Sequence, residues 1–267
     1  MNQYVPCDEV IITARSGQTG RFNADPKICE FEEHDEKETM NQAEAGEHKA
    51  SFDRDGYVII RQFVTKDQVE EICRRAEAVT SKFPPTKGMF TNVFKGLERS
   101  DDFFKELLHN GAHVPILEKL LGKKPEPTTA SFFTKSKHAE EIHPHSDAMK
   151  GGVVWIAIDE TNRENGCLHF IKGSHLREEE FAHLSPSEAN DLSEHPDLVE
   201  AAMKPGDIVM FRPTTVHWSG PNHEGTTRRG FNCFYVGDPS GWYKNLTPEQ
   251  LAALKKKKSE AAAKATA

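Results

Sequence analysis

From about residue 128 onward the chain consists of short apolar runs separated by turn residues. That pattern constrains the fold more than any other feature of the sequence. The clearest runs are 153–158, 167–171, 207–211 and 230–236. Between them stand Asn165-Gly166, Gly173-Ser174 and Pro205-Gly206-Asp207, residue pairs and triplets that bend a backbone. Upstream the period changes. Tyr57 to Ile60 reads as one short strand, and Thr65 with Gln68 then forms a capping box. Val69, Ile72, Cys73, Ala76 and Val79 recur at helical spacing, so a helix is predicted over 66–81, stopped by Pro84-Pro85. A second helical region is predicted over 101–121, with Gly122 as its cap. Helices first and many short strands later imply a mainly β fold with flanking helices: a sandwich or barrel with helices outside it.

Three segments fall outside this plan. Residues 1–50 are dense in acids between Glu30 and Glu38 and sustain no apolar period, so they read as an N-terminal extension. Residues 51–245 form the expected domain. Within it, 177–204 is acidic and helix-prone and is expected to be a lid over the barrel mouth. Residues 246–267 are expected to form a C-terminal helix and tail, opened by Thr247-Pro248-Glu249-Gln250.

Charge and cysteine usage narrow the function. A formal charge of -8 leaves no basic surplus for phosphate neutralisation, so no nucleic-acid partner is expected. The run Lys255 to Lys258 reads as a solvated face. No apolar stretch reaches the ~20 residues of a membrane span, and no leader or peroxisomal address is visible, which leaves the cytoplasm as the expected compartment. Cys7, Cys29, Cys73, Cys167 and Cys233 are scattered, odd in number and free of CxxC spacing. They argue against both a disulfide framework and a zinc-thiolate site.

The chemistry is carried by two short words, HPHSD at 143–147 and VHWSGPN at 216–222. Side chains of an extended segment alternate, so His145 and Asp147 share a face and can reach one metal. His217 follows KPGDIVMF, a turn and strand that would bring it back across a barrel. Two imidazoles and one carboxylate leave three positions open, which Fe(II) needs for a bidentate 2-oxo acid and O₂. Arg228 follows at the entry to another strand, where a guanidinium could grip a distal carboxylate with two hydrogen bonds. An HxD pair alone is common, and its ordinary reading is a turn with a solvated Asp. His143 competes with His145 but has no Asp two residues on. His169 and His175 read as packing and turn residues, Asn165 and Gly166 as a turn, and the stretch around His138, Glu140 and Glu141 as a solvated loop. Arg229 should point to the face opposite Arg228.

Taken together these words resemble the phytanoyl-CoA dioxygenase family, which includes the ectoine hydroxylases. FDRDGYVII, HSD, GVVWIAID, ENGCLHFIKGSH, KPGDIVMFR, HWSGPN and Arg228 follow the family's order over about residues 50 to 240. The resemblance implies a double-stranded β-helix, a cupin-like jelly roll. It implies iron at His145, Asp147 and His217, and 2-oxoglutarate at Arg228. Trp155 would border the co-substrate and Ser219 would add a hydrogen bond. Related members also use a polar residue, often Lys, upstream of the iron motif. Here that register falls at Thr91 and Asn92, with Lys95 close by and no Lys in line. The implied activity couples O₂ and 2-oxoglutarate, released as succinate and CO₂, to hydroxylation of a C–H bond in a small molecule. A desaturase, epimerase or ring-forming oxidase uses the same triad. A halogenase is disfavoured because Asp147 holds the position a halide would need. A non-oxygenase metal-binding cupin is the alternative from another class. The expected assembly is a monomer or weak homo-oligomer.

Overall fold

The computed structural model describes residues 10–13, 19–22, 42–83, 93–147, 150–186, 188–224 and 226–236. A hairpin of β1 (Val10–Thr13) and β2 (Thr19–Phe22) precedes the rest. Helix α1 (Gln42–Asp55) leads into β3 (Tyr57–Ile60), followed by α2 (Lys66–Thr80) and β4 (Val93–Lys95). Helices α3 (Asp102–Asn110) and α4 (His113–Leu121) come next. The strands are β5 (Glu126–Lys135), β6 (Ile142–His145), β7 (Gly151–Ala157), β8 (Leu168–Ile171), β9 (Leu198–Ala201), β10 (Ile208–Phe211), β11 (His217–Ser219) and β12 (Arg228–Val236).

The strands form a jelly roll of two antiparallel sheets. The major sheet runs β3-β10-β7-β12-β5-β4, and the minor sheet runs β6-β11-β8-β9. Period-2 alternation sorts the side chains of the major sheet into two cores. Val154, Ile156, Ile208, Met210, Phe231, Cys233 and Tyr235 pack outward against Ile72, Phe104 and Leu117 of the helices. Val153, Trp155, Ala157, Val209 and Phe211 pack inward against Leu168 and Phe170 of the minor sheet. Both faces of β7 and β10 are therefore buried, which is why those segments read as unbroken apolar runs rather than alternating ones.

The predicted capping box on α2 is present: Thr65 Oγ1 accepts from the Gln68 amide, and Gln68 Oε1 accepts from the Thr65 amide at 2.8 Å. The helical stretch over 101–121 is two helices rather than one. Asp101 caps the first, accepting from the Phe103 amide at 2.9 Å, and Gly111 ends it. Helix α1 crosses the expected boundary at residue 50, and Phe52, on the domain side of it, is completely buried. The segment 177–204 is not a helical insertion. It holds a single 3-10 turn at Glu178–Phe181, and its end is β9, paired with β8 through Phe170↔Val199. Glu200 disguised that strand by interrupting Leu198, Val199 and Ala201. The terminal helix expected after Thr247 lies outside the described residues.

Candidate functional site

Strands β6 and β11 are neighbours in the minor sheet, and their register places His145 directly opposite His217. Antiparallel pairing thus brings together two residues far apart in sequence, with ring centroids 4.5 Å apart. Each ring is oriented from behind. His145 Nδ1 lies 2.8 Å from the His143 carbonyl, and His217 Nδ1 lies 2.8 Å from the Thr215 carbonyl. A carbonyl can only accept, so Nδ1 carries the proton in both and each Nε2 keeps its lone pair. Burial, reinforced by the neighbouring His145, lowers the His217 pKa to about 4 and keeps that ring neutral. Phe211 and Phe170 flank it. Asp147 follows β6 with its amide bonded to the Pro213 carbonyl at 2.8 Å. Its Oδ2 is 4.0 Å from His217 Nε2.

The donor chemistry fits a divalent iron: two imidazoles oriented by Nδ1 with Nε2 left free, and one carboxylate. Among the described residues, no three such side chains stand close enough together, as placed, to hold a metal ion. Adjacent donors at ~2.1 Å from a metal lie ~3 Å apart, so Asp147 stands about 1 Å too wide. Its side chain is 37% exposed. His143 instead places Nδ1 3.1 Å from Glu141.

All three side chains line one cavity of about 610 Å³ between the sheets. Arg228 enters this cavity at the start of β12 and is 3% exposed. One of its terminal nitrogens donates to Ser219 Oγ at 2.8 Å and to the Gly166 carbonyl. Its guanidinium lies 5.5 Å from the Trp155 ring centroid. Arg228 Nε is buried and has no acceptor. Opposite Arg228 in the register stands Lys135, also buried. Its ammonium reaches only carbonyls, Glu140 at 2.9 Å and Ser219 at 3.4 Å. Burial, and then the positive Arg228, lowers the Lys135 pKa to about 7. Two cations facing each other across adjacent strands repel. The described residues give neither an ion pair.

Two glycines make the arrangement possible. A Cβ on Gly230 would lie 2.0 Å from Trp155 Cζ2, so the indole lies flat on bare backbone. Gly166 has φ +79°, and a Cβ there would meet the Gly220 carbonyl at 2.3 Å. Asn165 shapes that turn through bonds to Asn162 and Glu160, as the sequence implied.

The remaining candidates are distributed as follows. Arg229 faces away and pairs with Asp159 and Glu77, both at 2.8 Å. His169 stacks on Trp218 and His175 bonds the Asp53 carbonyl, both outside the cavity. His138, Ala139 and Glu140 line the cavity, so that loop is not merely solvated. Asn92 and Thr91 lie outside the described residues, whereas Lys95 lines the cavity. Lys135 was missed. The available signal was a single cation closing the otherwise uncharged run PTTASFFTK.

Residues 52–230 match the family model described as Phytanoyl-CoA dioxygenase (PhyH). The mouse phytanoyl-CoA dioxygenase domain-containing protein 1 is 26% identical over 62% of this chain, which spans 65% of that relative's length. Among solved structures, the epimerase SnoN in complex with Fe3+, alpha ketoglutarate and nogalamycin RO is 20% identical, with a TM-score of 0.62, 73% of this chain and 84% of that one being covered. EctD from S. alaskensis with 2-oxoglutarate and 5-hydroxyectoine is 19% identical, with a TM-score of 0.58 over 71% of this chain and 75% of that one. The structural likeness is one of fold. Fold and family match define the class, a 2-oxoglutarate-dependent non-haem iron oxygenase that uses Fe(II), 2-oxoglutarate and O₂. Within that class the chain belongs to the phytanoyl-CoA dioxygenase family. The non-oxygenase cupin reading is thereby set aside. No helix among the described residues is long and apolar enough to cross a membrane.

Proposed function

We propose that His145, Asp147 and His217 hold the iron, that Arg228 holds the far carboxylate of 2-oxoglutarate, and that the enzyme hydroxylates a C–H bond of a small molecule. The observation that carries this reading is the pair of unpaired, buried cations beside two imidazoles with free Nε2 in one cavity. The iron, with 2-oxoglutarate and O₂, supplies the oxidising power and releases succinate and CO₂.

The chain's own residues bind, orient and exclude water. Arg228 offers a planar fork, and its orphan Nε gains an acceptor when a carboxylate arrives. Ser219 and the Gly166 carbonyl fix that fork in one orientation. Lys135 adds a second cation on the opposite strand, and a bound dianion raises its pKa back toward the ordinary range. Trp155 covers the guanidinium and keeps bulk water from the carboxylate. The carbonyls of His143 and Thr215 hold the imidazole protons, so both rings present Nε2. Asp147 would hold a ligand position on that iron and so leave none for a halide.

The test is mass spectrometry of products formed from a metabolite extract under ¹⁸O₂ with excess chloride, with succinate measured in parallel. One ¹⁸O in the product and stoichiometric succinate are expected, with no chlorinated species. A product that gains no oxygen would replace hydroxylation with desaturation, ring formation or epimerisation. Turnover without succinate would overturn the 2-oxoglutarate assignment.

A further inference from the structure

The cavity continues outward from Trp155 along a single register row of the major sheet. Trp155 on β7 stands opposite Asn232 on β12, Asn232 opposite Ser131 on β5, and Ser131 opposite Lys95 on β4. All four residues line the cavity. Adjacent strands lie ~4.8 Å apart, so three strand steps lead from the buried indole to Lys95, exposed on the outermost strand.

Two members of this row have polar groups without a partner among the described residues. Asn232 Oδ1 is shielded from solvent and accepts no hydrogen bond. A buried acceptor in that state favours any ligand that brings it a donor. Lys95 forms no ion pair with the described residues. The nearest acid in sequence, Glu98, is engaged elsewhere, with Arg99 and with the Ala130 amide. The other cations of the cavity are committed at its inner end, Arg228 to Ser219 and Gly166, and Lys135 to the carbonyls of Glu140 and Ser219. Between Asn232 and the rim the wall is mixed, with Ser131, Thr128 and Thr129 beside Val93, Phe133 and Phe234.

We propose that this row selects the primary substrate, a small amphiphilic carboxylate carrying an N–H or O–H donor partway along its length. The donor meets Asn232 Oδ1, the carboxylate meets the Lys95 ammonium at the rim, and the apolar body lies on Phe133 and Phe234. This inference rests on the assignment of the inner cavity end to 2-oxoglutarate, which leaves Lys95 as the cation available to substrate.

Three probes separate the contacts. N-acetyl-leucine carries both donor and carboxylate, its methyl ester only the donor, and 4-methylpentanoate only the carboxylate. Binding is measured by calorimetry on full-length protein with Fe(II) and saturating 2-oxoglutarate, without O₂. N-acetyl-leucine should bind the wild-type protein roughly tenfold more tightly than either other probe. Lys95→Gln should erase its advantage over the ester, and Asn232→Leu its advantage over 4-methylpentanoate. If Asn232→Leu does not fold, the wild-type ranking and Lys95→Gln decide. Equal affinities for the three probes, no binding of any, or an ester preference that survives in Lys95→Gln would overturn the proposal. The underlying reading has its own control, 2-oxoglutarate binding by the wild-type protein and its loss in Arg228→Ala. If that control fails, the assignment of the inner end fails with it. If it holds and the probes are not distinguished, only the selectivity row is wrong.

Discussion

The two ends of the cavity are built on different principles. At the Arg228 end every group is fixed before any ligand arrives: the guanidinium is 3% exposed, bonded to Ser219 and Gly166, and covered by Trp155. At the histidine end only the two rings are fixed, each by a backbone carbonyl, while Asp147 remains 37% exposed and about 1 Å wide of a closed shell. One end is preorganised and the other is completed on binding. On the proposed assignment, a small dianion with few contacts would gain affinity from rigidity, whereas a metal would bring enough energy of its own to draw in a loose carboxylate.

The comparison breaks most visibly at the histidines. His145→Ala and His217→Ala should each lower 2-oxoglutarate-dependent succinate release by more than ~100-fold and lose iron on dialysis, read by elemental analysis. His143→Ala, paired with Glu141 rather than with the cavity, should stay within ~3-fold of wild type. Iron loss in His143→Ala with retention in His145→Ala would reverse the ligand assignment.

At the rigid end the next largest effect is expected. Arg228→Ala should weaken 2-oxoglutarate binding by about 2–5 kcal/mol, because it leaves a dianion buried without its partner. Arg228→Lys should also weaken it, since a point charge cannot reproduce the fork. An unchanged Michaelis constant for 2-oxoglutarate in both variants would show that this end is not where the co-substrate sits.

Preorganisation itself is tested by Gly230→Ala. The new methyl displaces the Trp155 indole, at a cost of roughly 1–3 kcal/mol of stability, and should raise the 2-oxoglutarate Michaelis constant although no contacting residue has changed. Thermal unfolding and kinetics measured together would separate the two losses. An unchanged melting temperature and Michaelis constant would mean that the indole is not held in place by that glycine.

The smallest expected effect is a pH dependence. The Lys135 pKa is lowered to about 7. The ammonium that attracts a dianion is thus present below about pH 7 and is lost as pH rises through it. Affinity for 2-oxoglutarate should therefore decline above neutrality, with the midpoint displaced upward because the bound dianion favours the charged form. In the ligand-free protein the sign is opposite: an unfolded Lys holds its proton more tightly, so stability rises with pH from about 7 toward the ordinary lysine range. Lys135→Gln should flatten both profiles, and a slope unchanged in that variant would assign the titration to another group.

That His145, Asp147, His217, Arg228, Trp155 and Ser219 converge on one cavity was legible in the sequence because their spacing repeats a known order, and period-2 alternation sent Arg229 to the opposite face from Arg228. Asn165 as a turn residue and Thr65 as a cap were legible because their chemistry is local. What escaped depends on contacts between distant segments. Lys135 resembles any surface lysine until β12 places Arg228 opposite it. Strand β9 looked like part of an acidic insertion because only its pairing with β8 distinguishes it from one. The break at Gly111 was hidden by apolar residues that continue across both helices.

The alternation along β12 has a consequence for how such an enzyme diversifies. Arg228, Gly230, Asn232 and Phe234 look into the cavity or lie beneath Trp155, whereas Phe231, Cys233 and Tyr235 belong to the helix-side core. Cavity-lining and helix-side core residues thus occupy alternate letters of one segment. A library varied only at 232 would test the proposed row while the helix-side core residues stay untouched, whereas Phe234 also packs on the inner core. The same chain can acquire new chemistry by small steps, none of which requires it first to become a worse protein.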